Sequence, residues 1–453
     1  MRLTVLGGGG FRVPLVYRAL LDDAGDDGSG ARAGRCTEVV LYDTDRRRLD
    51  AIGAVLAEQA RGRGAAPAVR ATTDLDDALR GADFVFSAIR VGGLAGRTRD
   101  ERVPLNEGVL GQETVGAGGV LYGLRTLPVA IRIAERVATV APDAWVINFT
   151  NPAGMVTEAM RRVLGERVIG ICDSPVGLCR RAARALGVDP DLAEYDYVGL
   201  NHLGWLRALV VDGRDHLPRL LDDPAALESF EEGKLFGATW LRALRALPNE
   251  YLHYYYFNRE AVRAVLQAPA TRGEFLHQQQ EGFYAEVGSG RGGALEAWER
   301  TRSEREATYM AENRSATGDW ERDSCDLDGG GYERIALALM RAIAHNERTT
   351  LILNVPNRSA VPGLDADAVV EVPCLVTAGG ARPLATGPVA ADQLGLMLSV
   401  KAVERATIEA ALTGCRAAAL RALALHPLVD SVRVAERLLA ASGLAPELSD
   451  HVG

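Results

Sequence analysis

The chain has 453 residues, too many for one ordinary hydrophobic core, with 47% apolar and 25% charged residues, the balance of a soluble globular protein. A formal charge of −9 leaves no dominant basic face, which argues against a nucleic-acid partner and obliges any anionic substrate to find a local basic pocket. No apolar run reaches the roughly 18 residues of a membrane span, and the start reads as a strand rather than a signal peptide.

In chain order, residues 3–6 predict a strand that runs into Gly7-Gly8-Gly9-Gly10-Phe11-Arg12-Val13-Pro14, a turn and the start of a helix. Glycines in such a turn let backbone N–H groups approach a pyrophosphate, and proline at the helix start leaves the helix dipole directed at it. Gly7, Gly9, Gly10, Phe11 and Arg12 are therefore candidate cofactor-binding residues, although the third glycine of the dinucleotide fingerprint is missing. A second strand at 39–42 ends at Asp43, where a carboxylate can accept hydrogen bonds from ribose hydroxyls and favour NAD over NADP. Residues 22–34, rich in Gly, Asp and Ala, read as a surface insertion between the two.

Further strand-like runs at 84–89, 145–149 and 168–171 alternate with helical patterns at 49–61, 127–140 and 154–164. This alternation predicts an α/β class, with a Rossmann-like doubly wound parallel sheet over residues 1–172 that binds NAD. Beyond residue 175 the order changes. Strands are expected at 197–200 and 206–211, then helices at 236–247, 274–286, 334–345, 389–412 and 432–441, with glycine loops at 288–293 and 329–331. Residues 173–453 read as a second α+β, helix-rich domain for substrate, metal and assembly.

Six cysteines, at 36, 172, 179, 325, 374 and 415, make no disulfide framework in a chain of this length, and a reducing cytoplasm is the expected address. Five read as small buried apolar side chains. Cys172 and His202 each follow a strand-like run, so both can reach the crevice at the carboxyl ends of the sheet. Their separation is no local metal signature; a core thiol and a structural histidine would look the same.

One ordered set of motifs goes further. The glycine loop is followed by Ile89-Arg90-Val91-Gly92-Gly93, Arg97, Asp100-Glu101, Gly111-Gln112-Glu113-Thr114 and Asn148-Phe149-Thr150-Asn151-Pro152. Then come Cys172-Asp173-Ser174-Pro175, Asn201-His202-Leu203-Gly204-Trp205, Tyr251-Leu252-His253-Tyr254-Tyr255-Tyr256, Thr271-Arg272 and Asn354-Val355-Pro356-Asn357. Across nearly its whole length the chain resembles glycoside hydrolase family 4, the NAD- and metal-dependent glycosidases.

The resemblance implies hydrolysis of 6-phospho-β-glucosides, such as cellobiose 6-phosphate, by NAD-dependent oxidation at sugar C3, C2 deprotonation, elimination and water addition. Cys172 and His202 match the family's metal ligands, usually for Mn²⁺, although a thiolate and an imidazole favour a later metal such as Zn²⁺. Tyr251 aligns with the base, with Tyr254 or Tyr255 as alternatives. Asp173 matches an acid for the leaving oxygen in α-acting members, where many β-acting ones carry asparagine; capping of the helix before Pro175 is the other reading. The Asn201-to-Trp205 stretch leans towards β. Arg97 and Asn151 match contacts to sugar hydroxyls and phosphate, and Arg272 a phosphate fork. Glu113 either supports the metal and its water or fixes a glycine-rich loop over 108–119. The family implies a phosphorylated sugar as partner and a homodimer or homotetramer. Family 4 enzymes on unphosphorylated glycosides are the neighbouring reading. A 2-hydroxy-acid dehydrogenase is more remote, since no acid-binding arginine is evident beside a His–Asp dyad.

Overall fold

The structure is a computed structural model that describes all residues except 26–34, 312–313, 315–316, 319, 321, 323–330 and 445–453. Most of the expected 22–34 insertion, Cys325 and the glycines at 329–330 thus lie outside the described residues.

Six strands form the parallel half of the sheet: β1 (Arg2–Leu6), β2 (Glu38–Tyr42), β3 (Ala68–Thr72), β4 (Phe84–Ser87), β5 (Trp145–Asn148) and β6 (Val168–Gly170). Their order, β3-β2-β1-β4-β5-β6, is doubly wound about a switch point between β1 and β4. Helices cover both faces, so the central strands are continuous apolar runs, and all four residues of β4 are buried. The sequence pattern does not announce β3. It is an edge strand with no buried residue, and its Arg70 reaches out to pair with Asp77.

The sheet continues beyond β6 in antiparallel strands: β7 (Glu194–Leu200), β8 (Leu203–Val211), β9 (Arg214–Asp215), β10 (Leu247–Pro248), β11 (Thr349–Pro356), β12 (Val369–Thr377) and β13 (Gly380–Pro383). The path runs β6-β11-β12-β7-β8-β10, with β9 beside β8 and β13 beside β12. Thus β11 to β13 lie among residues read above only as helices and motifs. The apolar, β-branched runs of β11 and β12 join β6 and β7, strands distant in sequence, and β13 folds back on β12.

Two expectations need correction. The helix over 236–247 is instead Glu231–Phe236 and Ala238–Leu244, parted at Gly237 with φ +74°, and Leu247–Pro248 joins the sheet. The helix over 127–140 starts much earlier, as Gly116–Val140, so the expected loop over 108–119 ends at residue 115. The reason is contact. A Cβ on Gly118 would lie 2.1 Å from the Gln112 carbonyl oxygen, and one on Gly119 would lie 2.5 Å from that of Thr114. Glycine lets the 111–114 segment rest directly on the helix backbone.

Among the described residues, Cys36, Cys172, Cys179 and Cys374 are buried free thiols and Cys415 is a half-buried one. No helix among them is long and apolar enough to cross a membrane.

Candidate active site

A cleft of about 590 Å³ opens at the carboxyl ends of the parallel strands, lined by the glycine loop on one side and by Cys172, His202 and Tyr251 on the other. In the loop, Gly7 has φ +82°. A Cβ on Gly7, Gly8, Gly9 or Gly10 would lie 2.6 to 2.8 Å from a neighbouring atom, so each must be glycine. The Gly7 and Gly8 amides donate to the Tyr42 carbonyl, Gly10 donates to Gly7, and Gly9 donates to Asp43 Oδ2 at 3.1 Å. That consumption leaves the Phe11 and Arg12 amides, at the entrance of the Val13–Gly25 helix, to meet an anion.

The loop is braced from the far half of the chain. Tyr284 donates to the Gly9 carbonyl, Trp298 to that of Phe11 and Tyr332 to that of Arg12, at 2.6 to 2.8 Å. The Phe11 ring is buried against Phe283 and Trp298, so only its backbone is available to a cofactor. Asp43 also accepts from Asp45 N–H, and with Gly9 these two bonds hold its carboxylate at the end of β2. The glycine turn, the free amides and this carboxylate together fit a dinucleotide.

Cys172 follows β6, and His202 sits in the tight turn between β7 and β8 with a left-handed φ of +61°. Both are buried. Thr114 Oγ1 is 3.0 Å from His202 Nδ1, which leaves Nε2 available to ligate a metal. Burial holds the imidazole down near 4 against the opposing pull of Asp173 and Glu113, so the ring is neutral, as metal ligation requires. Burial, then the charges of Glu371 and Asp173, push the Cys172 thiol well above its usual value. A cation would reverse that cost by taking the thiolate as ligand. The two donors fit a divalent metal. No group of three or more His, Cys, Asp or Glu is placed to hold one among the described residues, so substrate and solvent would complete the shell.

Tyr251 lies flat on His202, ring centroids 3.7 Å apart and planes 6° from parallel. Burial and then Glu250 push its phenol up, while Tyr309 O–H donates to its oxygen at 3.1 Å and favours the phenolate. Tyr254 also lines the cleft. Tyr255 stacks on His426, and Tyr256 accepts from Trp205 Nε1, so these two serve packing. Asn151, joined to Pro152 by a cis peptide, lines the cleft too.

Asp173 heads the Ser174–Ala185 helix but makes no side-chain capping bond. Its carboxylate faces Arg12 across 3.8 Å instead, inside the cleft, which removes the capping reading.

The remaining charge is arranged as a ladder. Glu113 bonds Arg90 at 2.6 Å and Arg97 at 2.8 Å, and Arg97 also bonds Glu101 at 2.8 Å. Burial opposes the charge on Glu113, but the two arginines hold it down at about 2. Arg97 is therefore a fixed, paired wall residue. Arg272 heads the Arg272–Gly288 helix behind a Thr271–Glu274 capping box and donates to Thr308 Oγ1 and the Arg305 carbonyl.

Four residues the motifs did not single out also belong here. Arg305 lines the cleft with no ion-pair partner among the described residues, and burial together with Arg12, Arg272 and Arg97 drives its guanidinium well below its usual value. Glu250 accepts from Ser174 Oγ at 2.6 Å and is raised to about 8 by burial and Glu232. Tyr309 reaches Tyr251, and Glu371 accepts from Asn201, the residue before His202. Of these only Glu250, beside the tyrosine cluster, had a sequence signal.

A sequence model of the family 4 glycosyl hydrolases matches residues 32–188, and one of the family 4 glycosyl hydrolase C-terminal domain matches residues 197–429. A probable 6-phospho-beta-glucosidase of Bacillus subtilis (strain 168) is 34% identical over 401 residues, 86% of this chain and 85% of its own. A maltose-6'-phosphate glucosidase of the same organism is 31% identical over 453 residues, 96% and 94% respectively. Among solved structures, a 6-phospho-beta glucosidase from Thermotoga maritima with NAD and glucose-6-phosphate superposes with a TM-score of 0.80 at 28% identity over 98% of both chains. A 6-phospho-alpha-glucosidase from gut microorganisms in complex with NAD and Mn²⁺ does so with a TM-score of 0.79 at 26% identity over 99% of both. With family models matching both halves of the sheet and a relative 34% identical over 86% of the chain, the chain belongs to glycosyl hydrolase family 4.

Proposed function

We propose that this protein is an NAD- and divalent-metal-dependent 6-phospho-β-glucosidase. The observation that carries the phosphorylated substrate is the surplus of positive charge in the cleft. Arg12, Arg97, Arg272 and Arg305 influence one another there, yet Glu113, the carboxylate whose charge favours the Arg305 guanidinium, is already taken by Arg90 and Arg97. A phosphate dianion supplies the missing negative charge, and guanidinium forks suit its geometry.

When bound, NAD and the metal would supply reversible oxidation at sugar C3 and polarisation of its oxygen. Cys172 and His202 would hold the metal; the Phe11 and Arg12 amides and Asp43 would hold the dinucleotide. The chain's own residues then do the following. Tyr251 Oη takes the C2 proton, made acidic by the neighbouring ketone, while Tyr309 O–H steadies the phenolate. Asp173 gives a proton to the leaving oxygen, and Arg12 beside it keeps the spent carboxylate in place. Arg305 and Arg272 orient the phosphate. The stacked His202 fixes the plane of Tyr251, so proton removal and metal ligation occur side by side.

The β preference is supported by the higher identity to the β-acting relative of Bacillus subtilis and by the Asn201-to-Trp205 stretch. Asp173 favours a second reading, the 6-phospho-α-glucosidase. The deciding assay is p-nitrophenol release from the β- and α-anomers of p-nitrophenyl glucoside 6-phosphate, with NAD, Mn²⁺ and thiol reductant. Release from the β-anomer that stops when NAD or metal is withheld is the expected result. Release from the α-anomer alone would transfer the assignment, and release from neither would end the phosphoglucosidase reading.

A further inference from the structure

The Asn354-Val355-Pro356-Asn357 motif has no part in the chemistry above, yet Asn354 and its neighbour Glu371 are buried at the seam of the sheet. The path there is β6-β11-β12-β7, so the strand leading to Cys172 and the strand leading to His202 are three strand spacings apart, each about 4.8 Å. Asn354 on β11 pairs in register with Gly170 on β6, and Glu371 on β12 pairs with Gly199 on β7. Each of these is the only registered pair between its two strands. β11 and β12 share a ladder of eight pairs in which Asn354 faces Glu371, but the two outer junctions, β6 to β11 and β12 to β7, have no such ladder. Side chains bridge the seam. Asn354 Nδ2 donates to Glu371 Oε1 at 2.8 Å, Asn201 Nδ2 donates to the same oxygen at 3.4 Å, and Tyr197 O–H donates to Oε2 at 3.3 Å. Asn201 also accepts from Ala153 N–H at 3.0 Å, tying the same group to the start of the helix after Asn151. Packing is tight, since a Cβ on Gly170 would lie 2.8 Å from Asn354 Cβ.

We propose that Glu371 is a positioning residue for the metal: its carboxylate joins β11 and β12 to Asn201, next to His202, and so sets where His202 stands relative to Cys172. A buried carboxylate accepting from Asn354, Asn201 and Tyr197 is an unusual expense unless it organises something. Here the donors come from both β7 and β11, so one carboxylate spans the seam between them. Groups that orient metal ligands commonly change metal affinity by about 10- to 100-fold when altered. The inference rests on the reading that Cys172 and His202 hold a divalent metal.

The test is Mn²⁺ titration of the full chain by electron paramagnetic resonance, alongside NAD titration and thermal unfolding, for wild type, Glu371→Gln and Tyr197→Phe. Glu371→Gln keeps the shape and removes the charge. It is expected to weaken Mn²⁺ at least tenfold while NAD affinity stays within about twofold. Tyr197→Phe, which removes one donor and retains the buried ring, is expected to weaken Mn²⁺ about two- to fivefold, and it carries the test should Glu371→Gln not fold. In the Co²⁺-substituted protein, the thiolate-to-metal absorption band is expected to shift in Glu371→Gln, a change that lost stability alone would not produce. Wild-type Mn²⁺ affinity in both variants would overturn the role of Glu371. Absence of Mn²⁺ binding in the wild type would overturn the metal reading and this inference with it.

Discussion

Arg305 shows how much of this site depends on charge balance at a single side chain. Most cleft arginines have a carboxylate; Arg305 lies among Arg12, Arg97 and Arg272 and has no ion pair among the described residues. Replacing it with methionine keeps most of the packing and removes the fork. KM for the phosphorylated glucoside is expected to rise about 10- to 100-fold, with kcat changed only a few-fold, as for an interaction made equally in ground and transition states. Steady-state kinetics on phosphorylated and unphosphorylated substrates check this; an unchanged ratio between the two would refute the phosphate contact.

Glu250 makes a prediction about pH. Its carboxyl is raised from 4.5 to about 8 by burial and Glu232, and Oε2 has no hydrogen-bond partner among the described residues, which favours the protonated form. A group with its folded pKa above the unfolded value contributes stability that is complete below about 4.5 and is lost as pH rises towards 8. The loss is at most about 1.4 kcal/mol per pH unit. Thermal unfolding across this window is therefore expected to show a steeper decline with rising pH in the wild type than in Glu250→Gln. Equal slopes would mean that Glu250 is ionised throughout.

At the scale of elements, the Gly116–Val140 helix and the segment laid upon it act as one part. Residues 111–114 supply Glu113 to the arginine ladder and Thr114 to His202, and Gly118 and Gly119 let them lie close enough to do so. In Gly118→Ala the new methyl would stand 2.1 Å from the Gln112 carbonyl oxygen, so the segment must lift. A stability loss of roughly 1–3 kcal/mol is expected from the overpacking. Mn²⁺ affinity should fall with it, because His202 loses the group that orients its ring. Unfolding and metal titration of the same preparation check both. Loss of stability with metal affinity intact would show that the segment does not govern the metal site.

The whole molecule is one sheet whose two halves complete each other's site. The nucleotide loop belongs to β1, yet its carbonyls are held by Tyr284, Trp298 and Tyr332, more than two hundred residues away. A chain cut after residue 188 would keep Gly7 to Gly10 and Asp43 but lose those three donors and uncover the β6 edge. Its NAD affinity, measured by fluorescence titration, is expected to drop at least tenfold, since the loop is no longer preorganised. Binding as tight as the full chain would make the bracing incidental.

The parallel half was legible from the sequence because its signals are local. Apolar runs bounded by turn residues mark β1, β2, β4, β5 and β6, and only glycine meets the contacts at residues 7 to 10. The ordered motifs were specific enough to identify the family and to nominate Cys172, Asp173, His202 and Tyr251, all of which line one cleft. Local pattern could not show that β11 and β12 would carry the sheet on from β6, nor that β3 would form with no buried residue. Nor could it show that Asp173 faces Arg12 instead of capping its helix, or that Arg305 has no ion pair among the described residues while Arg97 is paired. These are facts about neighbours far apart in the chain. Periodicity and turn chemistry belong to a segment and can be read from it. Charge compensation, burial and the spacing of two ligands belong to the packed whole, and only the tertiary structure decides them.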